Sequence, residues 1–184
     1  VDGKMHGNGK FSDKKANTVY EGPFVDDERS GANGQFTDKK SKNSYLGEWK
    51  GGYMWGQGKM DYTKNKNEKS YETYEGTWTV GDFEKGTLTF KSENKEKYKT
   101  YTGSFGSSNK FHGQGTLTYK PDNTSRGRKS KTYVGEFKEG KMWNGKFTCP
   151  TDKGDDLWQY TNGKIKLMHD SEKAASWNPL KKMF

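Results

Sequence analysis

Only a few side chains in this 184-residue sequence are of types that perform catalysis or bind metals. The three histidines, His6, His112 and His169, lack the spacing of metal ligands, and two of them precede a glycine in a repeated phrase, which indicates a structural role. His169-Asp170-Ser171 unites the residue types of a hydrolase triad, but adjacency in sequence does not create triad geometry. The sequence therefore predicts no catalytic residue, no metal site and no cofactor.

Other potentially reactive groups also have simple structural interpretations. The single cysteine, Cys149, cannot form an internal disulfide and is interpreted as a buried packing residue beside Phe147 and Pro150. Repeated Gly-x-Gly pairs resemble phosphate-binding loops, but each leads into another strand and none opens a helix. Two acidic stretches, 26–28 and 155–156, could hold a cation loosely, although acidic turns are usually only solvated.

The dominant pattern is a tyrosine followed at spacings of two by a glycine and then by Phe or Trp. It occurs five times, and its tyrosines are 25, 29, 27 and 32 residues apart. Such a period indicates small units that bury their surfaces by stacking on one another. The marked aromatics are Tyr20, Phe24, Tyr45, Trp49, Tyr74, Trp78, Tyr101, Phe105, Tyr133 and Phe137.

A second pattern, Gly-x-Gly followed by a large apolar residue, alternates with the first. Full copies occupy residues 7–11, 56–60 and 113–117, and copies with a displaced or missing first glycine occupy 31–36, 84–88 and 143–147. A spacing of two places marked residues on one face of a strand, so we expect the glycines to leave room for aromatic rings from neighbouring strands. Intervening residues such as Glu21 and Glu136 should face water. The predicted fold is all-β, an elongated, twisted, open sheet of stacked hairpins.

These motifs, with linking phrases such as residues 2–7 and 109–113, resemble the MORN repeat (membrane occupation and recognition nexus). The resemblance implies a leading half repeat plus five repeats, and we predict a repeat sheet over residues 1–157 and a carboxy-terminal cap over 158–184. The segment Asp170–Trp177 has helix start and stop signals and is predicted to form a short capping helix. Because the sequence begins within a repeat, we expect it to be a piece of a longer chain.

The positive charge of the chain is concentrated in the loops between repeats. Residues 12–19, 37–44, 61–73, 89–100 and 118–132 carry +1, +2, 0, +2 and +4, which is the whole net charge of +9. Because these loops join equivalent strand ends, we expect them to form a basic ridge along one edge of the sheet. Its residues are Lys39, Lys40, Lys42, Lys95, Lys97, Lys99, Arg126, Arg128, Lys129 and Lys131.

Two interpretations of the ridge remain open. The loops could simply keep an aromatic sheet soluble, or they could bind an acidic protein such as a tubulin tail, an anionic membrane or, less favoured, nucleic acid. The aromatic face could likewise be self-packed, or it could receive a partner helix or peptide along its exposed strip.

The predicted function is a non-enzymatic scaffold that holds protein partners in a large cytoskeletal assembly, either ciliary and axonemal or cortical. The resemblance implies several roles, and we favour this one because no catalytic module is recognisable in the sequence. The same resemblance allows the targeting region of a larger lipid kinase or methyltransferase, or a module that binds anionic membranes. No signal peptide or long apolar segment is recognisable, so the expected location is intracellular, in the cytoplasm or cytoskeleton.

Overall fold

The computed structural model describes residues 3–68, 70–93, 95, 97–121, 130–151 and 154–168. Short strands follow one another along the chain, and one turn of 3₁₀ helix, Ser107–Asn109, precedes β10. The strands are β1 Gly7–Asp13, β2 Thr18–Val25, β3 Glu28–Arg29, β4 Gly31–Asp38, β5 Ser44–Lys50, β6 Tyr53–Asp61, β7 Tyr71–Thr79, β8 Asp82–Phe90, β9 Tyr98–Phe105, β10 Phe111–Tyr119, β11 Thr132–Lys138, β12 Lys141–Thr151, β13 Gly154–Thr161 and β14 Lys164–Leu167.

All of these strands belong to one antiparallel sheet in which sequence neighbours are also spatial neighbours. The short strand β3 stands off the main path and pairs only with β2. The sheet is open, with β1 and β14 at its two ends, so the predicted all-β open sheet is confirmed. Strands β13 and β14 continue the sheet past residue 157, and the predicted helix over 170–177 lies outside the described residues.

A row of glycines crosses the sheet at right angles to the strands. Each glycine of the row faces the next in register, for example Gly58 with Gly76, Gly76 with Gly86 and Gly86 with Gly103. We call this the glycine row; it consists of Gly9, Gly22, Gly34, Gly47, Gly58, Gly76, Gly86, Gly103, Gly115, Gly135 and Gly145. The next row along the strands holds the tyrosines, which alternate with Phe, Met or Leu on the paired strands.

The tyrosine of each unit lies over the glycine row. A Cβ atom added to Gly58 would lie 2.1 Å from the Tyr45 hydroxyl, and one added to Gly103 would lie 2.6 Å from the Tyr101 hydroxyl. We expected the rings to come from neighbouring strands, and the structure shows this for glycines such as Gly58, which lies beneath Tyr45 of the adjacent strand β5. The same tyrosine also covers the glycine two residues ahead on its own strand, because its ring folds forward along the strand.

The degenerate second motifs differ from the full ones in the size of a β-bulge. In β6, Trp55 pairs with Glu48 and Gly58 pairs with Gly47, so the two residues between Trp55 and Gly58 have no partner on β5. Strand β10 has the same two-residue bulge opposite β9. The first glycine of the motif lies in this bulge with a positive φ, +58° at Gly56 and +63° at Gly113, so it is not part of the glycine row. In β8 and β12 only one extra residue remains, and no glycine is needed.

The core is a single layer of aromatic side chains on one face of this sheet, which we call the aromatic face. Edge-to-face contacts link successive units, such as Tyr45 with Trp78 and Tyr101 with Phe137, at centroid distances of 5.2 and 5.1 Å. These contacts pass from each repeat to the next, so the repeats share one continuous core.

Candidate binding surfaces

The loops between repeats lie along one edge of the sheet, which we call the loop edge. Their described residues are 14–17, 39–43, 62–68, 70, 91–93, 95, 97, 120–121 and 130–131, between successive antiparallel strands. Adjacent loops are hydrogen bonded to one another. The Lys39 backbone NH donates to the Asn17 carbonyl at 2.9 Å, and Asn65 Nδ2 donates to Asn43 Oδ1 at 2.8 Å. The loop edge is therefore a connected surface and not a set of independent insertions.

Two lysines of the loop edge connect neighbouring loops. Lys91 Nζ donates to the carbonyls of Asn65 and Glu68 at 2.8 and 2.6 Å. Lys120 Nζ donates to the carbonyls of Lys91 and Ser92, both at 2.6 Å. These ammonium groups occupy equivalent positions just after β8 and β10, where they satisfy loop carbonyls.

Aspartates at the start of the loops accept hydrogen bonds from backbone NH groups of the turns that follow them. Asp13, Asp38 and Asp61 end equivalent strands, and each carboxylate accepts a backbone NH two residues later, at 2.7 to 2.8 Å. Hydrogen bonds from Ser41 lower the pKa of Asp38, and hydrogen bonds from Thr63 lower that of Asp61. These carboxylates therefore stabilise turns through hydrogen bonds, and the attraction of neighbouring lysines is a smaller cause of the lowered pKa of Asp38 and Asp61.

The structure places most of the predicted ridge residues on the surface of the loop edge. Six lysines are exposed, and none of them has a carboxylate partner in the described part of the chain: Lys39, Lys40, Lys42, Lys95, Lys97 and Lys99. Lys131 is partly buried. Arg126, Arg128 and Lys129 lie outside the described residues.

The ten aromatic residues predicted to form a face do lie on one face, but they are buried within it. Their exposed fractions range from 0% for Tyr74 to 9% for Phe105. In all five units the tyrosine hydroxyl donates to the carbonyl three residues later, at 2.7 to 3.0 Å. Burial raises the pKa of Tyr101 and Tyr133 to about 12. The ten side chains are thus an interior rather than an open platform.

A further residue in each unit covers this interior. This residue lies on the strand that follows the hairpin turn, where it pairs with the Phe or Trp that ends the tyrosine motif. We call this place the lid position. Phe83 stacks on Tyr74 and Phe111 stacks on Tyr101, with centroid distances of 3.8 and 3.9 Å. The lid residues are Arg29, Met54, Phe83, Phe111 and Met142. Their equivalence is visible in the sequence once the repeats are aligned on their turns, but it does not follow from the two motifs.

The residues considered for catalysis are not brought together. His6 lies 3.2 Å from Asp26 and His112 lies 3.6 Å from Glu139, both at exposed hairpin ends. Cys149 is partly buried in β12 and has no disulfide partner, while His169 lies outside the described residues. Among the described residues, no group of three or more His, Cys, Asp or Glu side chains could hold a metal ion.

Comparison with known protein families agrees with this repeated geometry. The MORN repeat model matches residues 1–16, 45–66, 101–124 and 133–152. The chain carries MORN repeats. The matches omit the units of Tyr20 and Tyr74, yet both have the same tyrosine hydrogen bond and the same place in the glycine row, so they are MORN-like in structure.

No curated protein matches this sequence. The described part of the MORN sheet has no helix with the length and apolar character needed to cross a bilayer. MORN repeats are generally binding modules that act in membrane or protein interactions and are not catalytic.

Proposed function

We propose that this MORN-repeat sheet is a non-enzymatic scaffold that holds protein partners in a large cytoskeletal assembly, either ciliary and axonemal or cortical. The observation that supports it is the connected loop edge, where five exposed lysines lie on loops that are hydrogen bonded to one another and a sixth, Lys99, lies at the start of β9. A positively charged edge of this length suits an extended acidic partner, and tubulin tails have that chemistry.

The self-packed aromatic face supports a rigid role for the sheet. Because its ten motif rings are at most 9% exposed, the sheet already buries them without a partner on that face. Partners then bind at the loop edge and on the surface formed by the lid residues, which we call the lid layer, while the repeats fix the distances between them. An anionic membrane is the second candidate partner, because lysine-rich surfaces are attracted to acidic lipids without specific geometry.

A charge-reversal experiment tests the loop edge. The test variant changes Lys95, Lys97 and Lys99 to glutamate, and the control variant changes Lys85, Lys141 and Lys164, which are exposed away from the loop edge. Both variants change the net charge equally. Each protein is sedimented with microtubules, with microtubules whose acidic tails have been removed by limited proteolysis, and with phosphatidylserine vesicles.

We expect the loop-edge variant to lose binding to intact microtubules while the control variant keeps most of it. Wild-type binding should weaken between about 50 and 200 mM salt, since exposed charges are screened within roughly 10 Å at 0.1 M. Equal binding by the two variants would show that the loop lysines only aid solubility. Binding to vesicles but not to microtubules would favour the membrane candidate, and proximity labelling in the cell of origin would then identify the assembly.

A further inference from the structure

Arg29 is the one cation at the lid position. The other four units place an apolar residue there, Met54, Phe83, Phe111 or Met142. Arg29 pairs with Phe24 in the same register, on the short strand β3. The first unit therefore carries a positive charge at a position where, in the other units, Met or Phe is sufficient for packing.

The guanidinium group of Arg29 rests on three aromatic rings. Its central carbon lies 4.9 Å from the ring centroid of Trp49, 5.3 Å from that of Phe36 and 5.7 Å from that of Tyr20. These distances are within the range of cation–π attraction, so the rings hold the guanidinium group in place. Partial burial among them lowers the pKa of Arg29.

The donors of this guanidinium are not used by the described residues. In the described part of the chain, no side-chain hydrogen bond or ion pair of Arg29 is formed. Its nitrogens nevertheless reach solvent, because the described residues include no fully buried side-chain nitrogen or oxygen without a partner. An oriented, partly desolvated cation with five free N–H donors is prepared to receive an anion.

We propose that Arg29 anchors a carboxylate side chain of a protein partner that lies across the lid layer of the first two repeats. A planar guanidinium fork binds one carboxylate through two parallel hydrogen bonds, and the aromatic rings beneath it favour an apolar residue next to that carboxylate. Because Arg29 is the one cation at the lid position, its charge matches that of one carboxylate. The proposal rests on the proposed protein-binding function but concerns the edge opposite to the loop edge, since β2 runs from the first loop to the turn before Arg29.

The test observes the Arg29 side chain directly. The chain has only three arginines, so the Nε–Hε signals in a ¹⁵N-correlated NMR spectrum are few, and loss of one signal in Arg29→Met identifies the Arg29 group. The probes are the capped peptides acetyl-Leu-Glu-Leu-amide and acetyl-Leu-Gln-Leu-amide, which differ only in charge, and inorganic phosphate. Arg29→Met is the matched variant because two other MORN units have Met at this position.

We expect the glutamate peptide to move the Arg29 signal to saturation, with at least about tenfold tighter binding than the glutamine peptide. Arg29→Met should unfold at the wild-type temperature or higher and should bind the two peptides equally. Arg29→Lys, which keeps the charge but lacks the fork, should bind the glutamate peptide more weakly than wild type does. Equal affinities of the wild-type protein for both peptides, or no movement of the signal, would overturn the proposal.

Tighter binding of phosphate than of the glutamate peptide would also overturn it, by assigning the site to a phosphate. These outcomes are independent of the loop-edge experiment, because Lys95, Lys97 and Lys99 remain unchanged here. Failure at Arg29 therefore leaves the proposed binding at the loop edge intact, and failure at the loop edge leaves this site intact.

Discussion

At the residue scale, the MORN unit depends on a tyrosine folded over two paired glycines. The tyrosine hydroxyl donates to a carbonyl three residues later, and its ring fills the space that two Cβ atoms would otherwise occupy. At Gly76 the opposing backbone is also close, because an added Cβ would lie 2.4 Å from the Lys85 carbonyl oxygen and 2.5 Å from the Gly86 Cα. Backbone atoms cannot rotate away as a side chain can, so replacing these glycines with a larger residue should destabilise the sheet.

Replacing Gly76 by alanine should lower the free energy of unfolding by about 1–3 kcal/mol, as is typical of overpacking, and Gly76→Val should cost more. Gly9→Ala is the matched control, because a Cβ there would meet only the Phe24 ring at 3.6 Å, an ordinary contact. Urea unfolding of the three variants measures the difference. Equal stability of Gly76→Ala and Gly9→Ala would contradict the close approach inferred for the glycine row.

At the element scale, the loops behave as one structure because lysines and asparagines of one loop bond to the next. Lys120 joins the loop after β10 to the loop after β8 through two carbonyls, and Lys91 repeats this contact one unit earlier. The strands do not depend on these bonds, since their own register continues through β8, β9 and β10. Removing one such lysine should therefore loosen a loop and leave the sheet unchanged.

We expect Lys120→Met to speed amide hydrogen exchange in residues 91–97 by several-fold, because two hydrogen bonds to that loop are lost. Exchange in β9 and β10 should not change. Lys99→Met serves as the control, since Lys99 is exposed and its side chain has no partner in the described part of the chain. Faster exchange after both substitutions would mean that the bonds made by Lys120 contribute nothing specific.

At the scale of the whole molecule, each of the five equivalent tyrosines contributes to the stability of the sheet in the same way. Burial is the largest cause of the raised pKa at Tyr20, Tyr45, Tyr74, Tyr101 and Tyr133. Because each phenol is held neutral in the folded state, its contribution is complete below about pH 10, where a tyrosine of an unfolded chain ionises. That contribution is lost as the pH rises towards about 12, where Tyr101 and Tyr133 ionise in the folded protein.

The protein should therefore unfold in alkali within this window. The free energy of unfolding, measured in urea between about pH 9 and pH 11, should fall less steeply for Tyr101→Phe/Tyr133→Phe than for wild type. The double variant will be less stable at neutral pH, because two hydroxyl hydrogen bonds are missing. Tyr53→Phe, at a position that is 57% exposed, should keep the wild-type slope. The same slope in all three proteins would exclude the buried phenols as the cause.

The sequence by itself determined the period, the strand face of each marked residue and the edge on which the loops lie. These properties follow from local rules, because alternation along a strand and the equivalence of hairpin ends need no knowledge of distant contacts. The open sheet and the MORN repeats were predictable for that reason. The tertiary structure alone decided that Tyr74 covers Gly76 and Gly86, that Lys91 and Lys120 bind loop carbonyls, and that Arg29 rests on three rings. Each of these contacts joins strands or loops whose register is set by bulges and by stacking of neighbouring units, and such distances cannot be read from the spacing of residues along one strand.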